Sequence, residues 1–291
     1  MSQTSPSVSV VIPCFNHGEF LPEAAASVTA LERRDVELIV VDDGSSDERT
    51  PQEVEALAAR GIHTIRQKNQ GLAAARNAGI QASQGKYILP LDADNRLRPG
   101  YVEQGIRILD AHPQVGVVYG DAQCFGTETG RWRMGEFDRA RLLKENYIDA
   151  CAMFRRPIWE QNGGYDGAMP VQGYEDWDFW LGAVEHGWAF AYIPEVLFEY
   201  RKSAESMFTR AKPCQVQIED FVARKHGPLY RSAWLQLAGE RESLRQALSR
   251  QDSLGWTLRN LGRLVTSRGG RKSPKTAGRG GRDGEMEVAK P

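Results

Sequence analysis

Asp92 and Asp94 stand one residue apart at the end of an apolar run, "ILPLDADN", residues 88–95. An isolated ionised carboxylate is costly to bury, so such a group must be paired, protonated or bound to a cation. Hard divalent cations such as Mg²⁺ or Mn²⁺ take oxygen ligands, commonly one or two carboxylates together with substrate phosphates. A D-x-D triplet by itself also fits a solvated turn or a helix cap; the buried-strand pattern before it is what points to metal. The two carboxylates would face opposite sides of a continuing strand, whereas a turn beginning at Ala93 brings both into one crevice.

Three further stretches carry chemistry. "VVDDGSSDERT" (40–50) repeats the arrangement, with Asp42 and Asp43 suited to accept from a base edge or ribose, and Ser45, Ser46 and Asp47 equally suited to a turn and helix cap. "NQGLAAARNAG" (69–79) opens a helix with a glycine turn and places Arg76 and Asn77 one to two turns in. A helix N-terminus attracts anions and Arg76 adds a forked cation, although an ordinary surface arginine fits the same pattern. In "QGYEDWDFW" (172–180), Glu175, Asp176 and Asp178 lie among aromatic rings. Partial desolvation there raises a carboxylate pKa towards that of a general base. An amphipathic helix explains the tryptophans but not three acids on one turn.

The elements that must position these residues follow from the hydrophobic pattern. "VSVVIP", "VELIVVDD", "IHTIRQ", "YILPLDAD" and "VGVVYGD" alternate with helix-period segments over the first half of the chain. This is the signature of a mostly parallel sheet flanked by helices. Runs without polar alternation, such as Leu38–Val41, are expected to be buried on both faces. Ligands of such open sheets bind beyond the carboxyl ends of the strands, where Asp42/Asp43, Asp92/Asp94 and Asp121 all fall. Beyond about residue 130 the chain becomes irregular and aromatic. Residues 174–187 read as a helix closed by Gly187, residues 215–265 as helical, and the last 25 or so as disordered.

Among its 291 residues, 41% are hydrophobic and 26% charged, and the net charge is −1, values ordinary for a soluble protein. The four cysteines form no C-x-x-C pair, so neither a zinc site nor a redox motif is indicated, and buried thiols in a reducing compartment are expected. The first apolar run ends at Pro13, too short for a secretory signal, and no run reaches membrane-spanning length. Residues 259–291 hold nine Lys or Arg against three Asp or Glu, so the body is acidic and the tail basic. The basic segment 252–282 is a candidate for peripheral contact with anionic lipid. A terminal helix docked on the catalytic domain explains it as well. Nucleic-acid binding does not suit an acidic body.

Taken in order, "VSVVIPCFNHGEFLPEAAASV", "ELIVVDDGSSD", "QKNQGLAAARNAGI", "GKYILPLDADNRLRPGYV", "NGGYD" and "GYEDWDFWLGAVEHGW" resemble the family 2 glycosyltransferases, an inverting group with the GT-A fold. The resemblance runs from about Val8 to Ser206. It implies an α/β, Rossmann-like, mostly parallel sheet flanked by helices, to which pattern and composition add a helical C-terminal extension and a disordered tail. The expected domains are 1–210 for the GT-A unit (7–120 binding nucleotide sugar, 121–210 acceptor and catalytic), 211–266 for the helical extension and 267–291 for the tail.

The resemblance also implies roles. Pro13, Phe15, Glu19, Asp43, Asn69 and Arg76 would form the nucleoside pocket of a nucleotide-diphosphate sugar, most simply a UDP-sugar. Asp92 would lie by the ribose and donor sugar as well as the metal, and Asp94 would ligate Mn²⁺ or Mg²⁺ directly. Asp176 would be the base that deprotonates an acceptor hydroxyl, with Glu175 orienting the acceptor, and Trp177 and Trp180 candidates to stack on it. Hexosyl or N-acetylhexosaminyl transfer to a glycan or lipid-linked acceptor is expected, in the cytoplasm or at the inner face of the cell membrane. One departure stands out: where family members often carry Tyr-Arg-x-His, this chain reads "YRKSAES", with Ser203 in the histidine position and Arg201 or Lys202 as replacement cations. The competing readings of Asp92-x-Asp94 are a haloacid-dehalogenase-like phosphatase and a nucleotidyltransferase. The first expects its D-x-D on the first strand, the second a basic glycine-rich first loop; neither pattern is present.

Overall fold

The computed structural model describes residues 6–203 and 207–251. Its described residues divide into two compact units, one ending at His226 and one beginning at Gly227. The basic segment 252–282 and the tail from 267 lie outside the described residues.

The first unit opens with alternating strands and helices: β1 (Val8–Cys14), α1 (Leu21–Thr29), β2 (Val36–Asp42), α2 (Arg49–Ala59), β3 (His63–Arg66), α3 (Leu72–Ala82) and β4 (Tyr87–Pro90). It continues through β5 (Arg96–Leu97), α4 (Tyr101–Ala111), β6 (Val115–Gly126), β7 (Gly130–Trp132), α5 (Arg139–Leu142), β8 (Met153–Arg155) and α6 (Arg156–Asn162). It closes with α7 (Glu175–Glu185), β9 (Ala189–Lys202), α8 (Met207–Ala211) and α9 (Gln215–Lys225). The second unit is α10 (Gly227–Gln251).

One sheet runs in the order β3-β2-β1-β4-β8-β6-β9-β5, with β7 paired to β6. The longer ladders are parallel: β1 with β2 and β4, β2 with β3, and β6 with β9 from Val115↔Ala189 to Gly126↔Lys202. Short antiparallel ladders join β4 to β8, β6 to β8, β6 to β7 and β5 to β9. Every residue of β1 is buried, as its unbroken apolar run requires of a central strand covered on both faces. Its single polar side chain, Ser9, is satisfied, donating to Glu37 at 2.5 Å and accepting from the Gly85 N–H at 2.7 Å.

Helix α3 lies close against β1 because Gly79 faces it. A Cβ there would fall 2.4 Å from Val11 Cγ1, which would push the helix off the sheet and carry Arg76 with it. In the second half, Phe154 stands 4.8 Å from Phe179, and Tyr165 stacks on Phe179 at 4.3 Å. This aromatic core holds α7 against the sheet.

Two sequence-based expectations, the turn at Ala93 and the buried thiols, are met, and one, the place of Asp121, is corrected. Strand β4 stops at Pro90 and the turn at Ala93 follows, closed by Asn95 N–H donating to Asp92 O at 3.0 Å. Strand β6 runs past Asp121 to Gly126, so Asp121 sits mid-strand rather than at a strand end. There it is fully buried and saturated by Arg131 Nε at 2.7 Å, Met134 N–H at 3.0 Å and Tyr192 OH at 2.6 Å; it is a structural anchor and not a ligand group. All four cysteines are free thiols, with Cys14, Cys124 and Cys151 buried. Among the described residues no helix is long and apolar enough to cross a membrane.

Candidate active site

A cavity of about 580 Å³ opens at the carboxyl ends of β1 and β4 and is lined by Pro13, Phe15, Asp43, Asn69, Arg76, Asp92, Asp94, Glu175, Asp176 and Arg201. Ten expected site residues, drawn from stretches up to 188 positions apart in the chain, therefore meet at one place. Its volume is that of a small-molecule site.

Asp43 follows β2 and is almost fully buried. Its Oδ1 accepts from Gln67 Nε2 at 2.7 Å and from Gln70 N–H at 3.0 Å, and its Oδ2 from Gly71 N–H at 2.8 Å. A carboxylate oxygen accepts two bonds, so Oδ2 keeps one acceptor position. Gly71 begins α3 at φ +91°, where a side chain would be strained and would meet Gln172 at 2.5 Å. The neighbouring Asp42 points away, taking the Ser45 N–H at 2.9 Å beside Arg66 at 3.3 Å. Ser45, Ser46 and Asp47 build the turn and cap: Asp47 accepts from Thr50 N–H at 2.7 Å, and Ser45 and Ser46 bond to Asn16.

Arg76, only 3% exposed, donates to Asp92 Oδ1 at 2.9 Å and lies over the Tyr165 ring at 5.4 Å. It is not the surface arginine that its pattern also allowed. Asn77 is structural, its Oδ1 accepting from Trp159 Nε1 and Tyr165 N–H, both at 2.8 Å. Burial and the neighbouring Asp92 charge push the Asp94 carboxyl up to about 6, opposed by His17 and Arg201. No side chain donates to the Asp94 carboxylate among the described residues.

The three acids at the start of α7 have separate places. Glu175 Oε2 accepts from Gly173 N–H at 2.8 Å and holds the preceding loop. Asp176 accepts at Oδ1 from Trp177 N–H at 2.9 Å and from Asn146 Nδ2 at 2.8 Å. Burial pushes its carboxyl up to about 7; Arg76 opposes the shift and Glu175 adds to it. Asp178 faces the other way, bound to His226 Nε2 at 3.0 Å and Lys225 Nζ at 2.8 Å, which ties α9 to α7.

Glu19, Trp177 and Trp180 do not line the cavity. Glu19 is exposed to solvent. Both tryptophans are at most 2% exposed, with Nε1 donating to Leu142 O at 2.6 Å and Ile148 O at 3.1 Å; they pack the core and cannot stack on a sugar. Arg201 reaches the cavity with its guanidinium already engaged, by Glu23 at 2.7 Å, Asp94 O at 3.2 Å and the rings of Phe20 and Phe125. Lys202 lines the cavity with Nζ over Tyr200 at 4.8 Å and Trp132 at 5.4 Å, and makes no carboxylate pair among the described residues.

Sequence reasoning missed Asn146 and Asp149, which line the cavity from the irregular segment before β8. Burial and Asp92 push the Asp149 carboxyl up to about 8. The signal was a lone acid inside "YIDACA", the same discomfort that marked Asp92 and Asp94.

The sequence model of "Glycosyl transferase family 2" matches residues 9–169. The chain belongs to that family. It is similar to the PGL/p-HBAD biosynthesis glycosyltransferase of Mycobacterium bovis (strain BCG / Pasteur 1173P2), 32% identical over 184 residues, covering 60% of this chain and 68% of that one. Among solved structures, S. aureus TarS 1–349 in complex with UDP-GlcNAc has a TM-score of 0.58 at 16% identity, covering 70% of this chain and 60% of that 1–349 chain. The mannosyltransferase PcManGT from Pyrobaculum calidifontis, in complex with GDP-Man and Mn²⁺, has a TM-score of 0.58 at 19% identity, covering 91% and 81%. These likenesses show the GT-A fold. The chain spans 26%, 60% and 64% of the lengths of three curated relatives it matches. Membership of this family sets aside the phosphatase and nucleotidyltransferase readings of the acidic pair.

Proposed function

We propose that this glycosyltransferase moves a sugar from a nucleotide-diphosphate donor, most simply a UDP-sugar, to an acceptor hydroxyl with inversion, and that Asp176 is the base. The observation that carries the proposal is the Asp176 carboxylate, buried beside the cavity and held near a pKa of 7. That is where a base must be poised to work near neutral pH. The acceptor oxygen attacks the anomeric carbon from the face opposite the diphosphate. Its proton passes to Asp176, and the electron pair of the breaking carbon–oxygen bond leaves with the nucleoside diphosphate.

The nucleoside lies between Pro13, Phe15, Asn69 and Asp43, whose Oδ2 keeps an acceptor position for a base N–H. Lys202, which has no carboxylate partner among the described residues, serves the diphosphate as the cation ahead of Arg201, whose charge is already paired with Glu23 and whose Nε–H is held by Asp94 O. Asp92, oriented by Arg76, contacts the ribose and donor sugar. Glu175, tied to the Gly173 loop, orients the acceptor.

The residues fit a shared divalent cation. Asp94 is a half-buried carboxylate whose pKa is raised by burial and by the neighbouring charge of Asp92, both of which a cation would offset. Among the described residues no cage of three or more His, Cys, Asp or Glu side chains is present, so Asp94 and Asp92 would hold Mg²⁺ or Mn²⁺ together with the donor phosphates. Bound there, the ion would supply Lewis-acid stabilisation of the leaving diphosphate. The complex of PcManGT with GDP-Man and Mn²⁺ supports this reading of the metal, and the complex of TarS with UDP-GlcNAc supports that of the donor. A thermal-shift screen against UDP-, GDP- and dTDP-sugars with Mn²⁺ tests the donor: a melting rise confined to UDP-sugars is expected, and a rise confined to another nucleotide overturns that assignment.

A further inference from the structure

The cavity wall opposite α3 contains one contact that the family motifs did not bring forward. Asn146, in the segment between α5 and β8, donates its amide N–H to Asp176 Oδ1 at 2.8 Å, and the Trp177 backbone N–H donates to the same oxygen at 2.9 Å. A carboxylate oxygen offers two acceptor positions, so Oδ1 is fully used. Oδ2 takes no hydrogen bond among the described residues.

We infer that Asn146 is a positioning residue for the transfer reaction: it occupies the second acceptor position of Asp176 Oδ1, locks the carboxylate plane and leaves Oδ2 as the atom that receives the acceptor proton. The inference rests on Asp176 being the base.

The energetics favour a functional reason for this asparagine. Its own Oδ1 is buried with no hydrogen-bond partner among the described residues. Leaving a buried polar atom unsatisfied destabilises a fold, and an apolar side chain of similar shape would avoid that cost. The chain keeps the unpaired oxygen and with it the N–H directed at Asp176. A hydrogen bond to the charged form also favours that form, so Asn146 opposes the upward push of burial on Asp176. The other groups facing this carboxylate are Arg76 from α3, Glu175 from α7 itself, Tyr165 from the loop after α6, Tyr174 before α7, Asp149 from the segment bearing Asn146 and Tyr200 from β9. Of these only Arg76 is a cation, and it is bound to Asp92.

The test uses Asn146→Leu, which keeps the side-chain size and removes the donor, with Asn146→Ala and Asn146→Ser beside it in case one variant folds poorly. Melting temperature and calorimetric binding of the sugar nucleotide chosen by the screen, with Mn²⁺, establish that each variant is folded and binds donor. Turnover is release of nucleoside diphosphate with water as acceptor, measured from pH 5.5 to 9.5. Losing a hydrogen bond to a charged group raises the apparent pKa of the acidic limb by about one unit. At pH 7 the Leu and Ala variants should lose roughly fivefold to tenfold in kcat, recovering to within about threefold of the native rate at pH 9, with donor affinity within about twofold. Ser, which keeps a donor, should fall between them and the native enzyme. A native pH profile in a folded Leu or Ala variant, or a loss uniform across pH, overturns the inference. Retained turnover in Asp176→Asn would instead overturn the assignment of the base on which it rests.

Discussion

Arg76 and Asp92 meet at 2.9 Å, joining the second turn of α3 to the turn after β4 across the floor of the cavity. The arginine is 3% exposed and the aspartate 28%. Truncating Arg76 leaves Asp92 an uncompensated, largely buried charge. Arg76→Ala should destabilise the fold by roughly 2–3 kcal/mol, below the range for a fully buried pair because Asp92 is part exposed, and should abolish donor-induced stabilisation. Chemical denaturation with and without sugar nucleotide checks both. Arg76→Lys should restore stability in part but not donor binding, since a single ammonium cannot replace the fork.

Asp149 gives a prediction about pH. Its folded pKa of about 8 lies far above an ordinary carboxyl, so the folded state binds more protons than the unfolded one between about pH 4 and 8. Stability must therefore fall as pH rises through that window. Asp149→Asn removes the charge while an amide oxygen still accepts from Cys151 N–H, a bond now 2.8 Å long. The variant should melt several degrees higher than the native protein at pH 8 and at the same temperature near pH 4. Melting curves at the two pH values check it.

The tie between α9 and α7 also loses stability as pH rises, but here it is the charged form of the group that stabilises the fold. Burial lowers the His226 pKa, but the hydrogen bonds to Asp178 and Glu185 outweigh it and the net shift is upward. A raised histidine contributes stability that is complete below its ordinary value and is lost as pH rises through the folded value. His226→Ala should cost most below about pH 6.5, with the difference from the native protein narrowing as pH rises. A pH series of denaturant midpoints reads this out.

Asp94→Asn should weaken Mn²⁺-dependent donor binding by at least about tenfold while leaving metal-free nucleotide binding near native, since one carboxylate ligand carries much of the local charge. Calorimetry of sugar nucleotide with and without Mn²⁺ separates the two. Equal weakening in both conditions would place Asp94 on the nucleotide instead.

How far the site could be read from the chain depended on the regularity of each segment. The acids after β2 and β4 were legible because continuous apolar strands make a following charge conspicuous, and Arg76 because a glycine turn opens its helix. Trp177 and Trp180 misled because aromatic residues beside acids suit both a sugar platform and a core, and only the packing of α7 on Phe154 and Phe190 separates the two. Asp121 misled because "AQCFG" after it is too mixed to read as strand, although its pairing with β9 continues there. Asn146 and Asp149 were invisible to periodicity, since the segment before β8 has none. The choice of Lys202 over Arg201 required knowing that Glu23, more than 170 residues earlier, engages the guanidinium.

The central claim is that Asp176 takes the acceptor proton. It is tested most directly by nucleoside diphosphate release from Asp176→Asn, with donor affinity measured on the same preparation. The account predicts at least a hundredfold loss of turnover, the low end of what a general base supplies, with donor affinity within about threefold of native. An Asp176→Asn enzyme turning over near the native rate would contradict it.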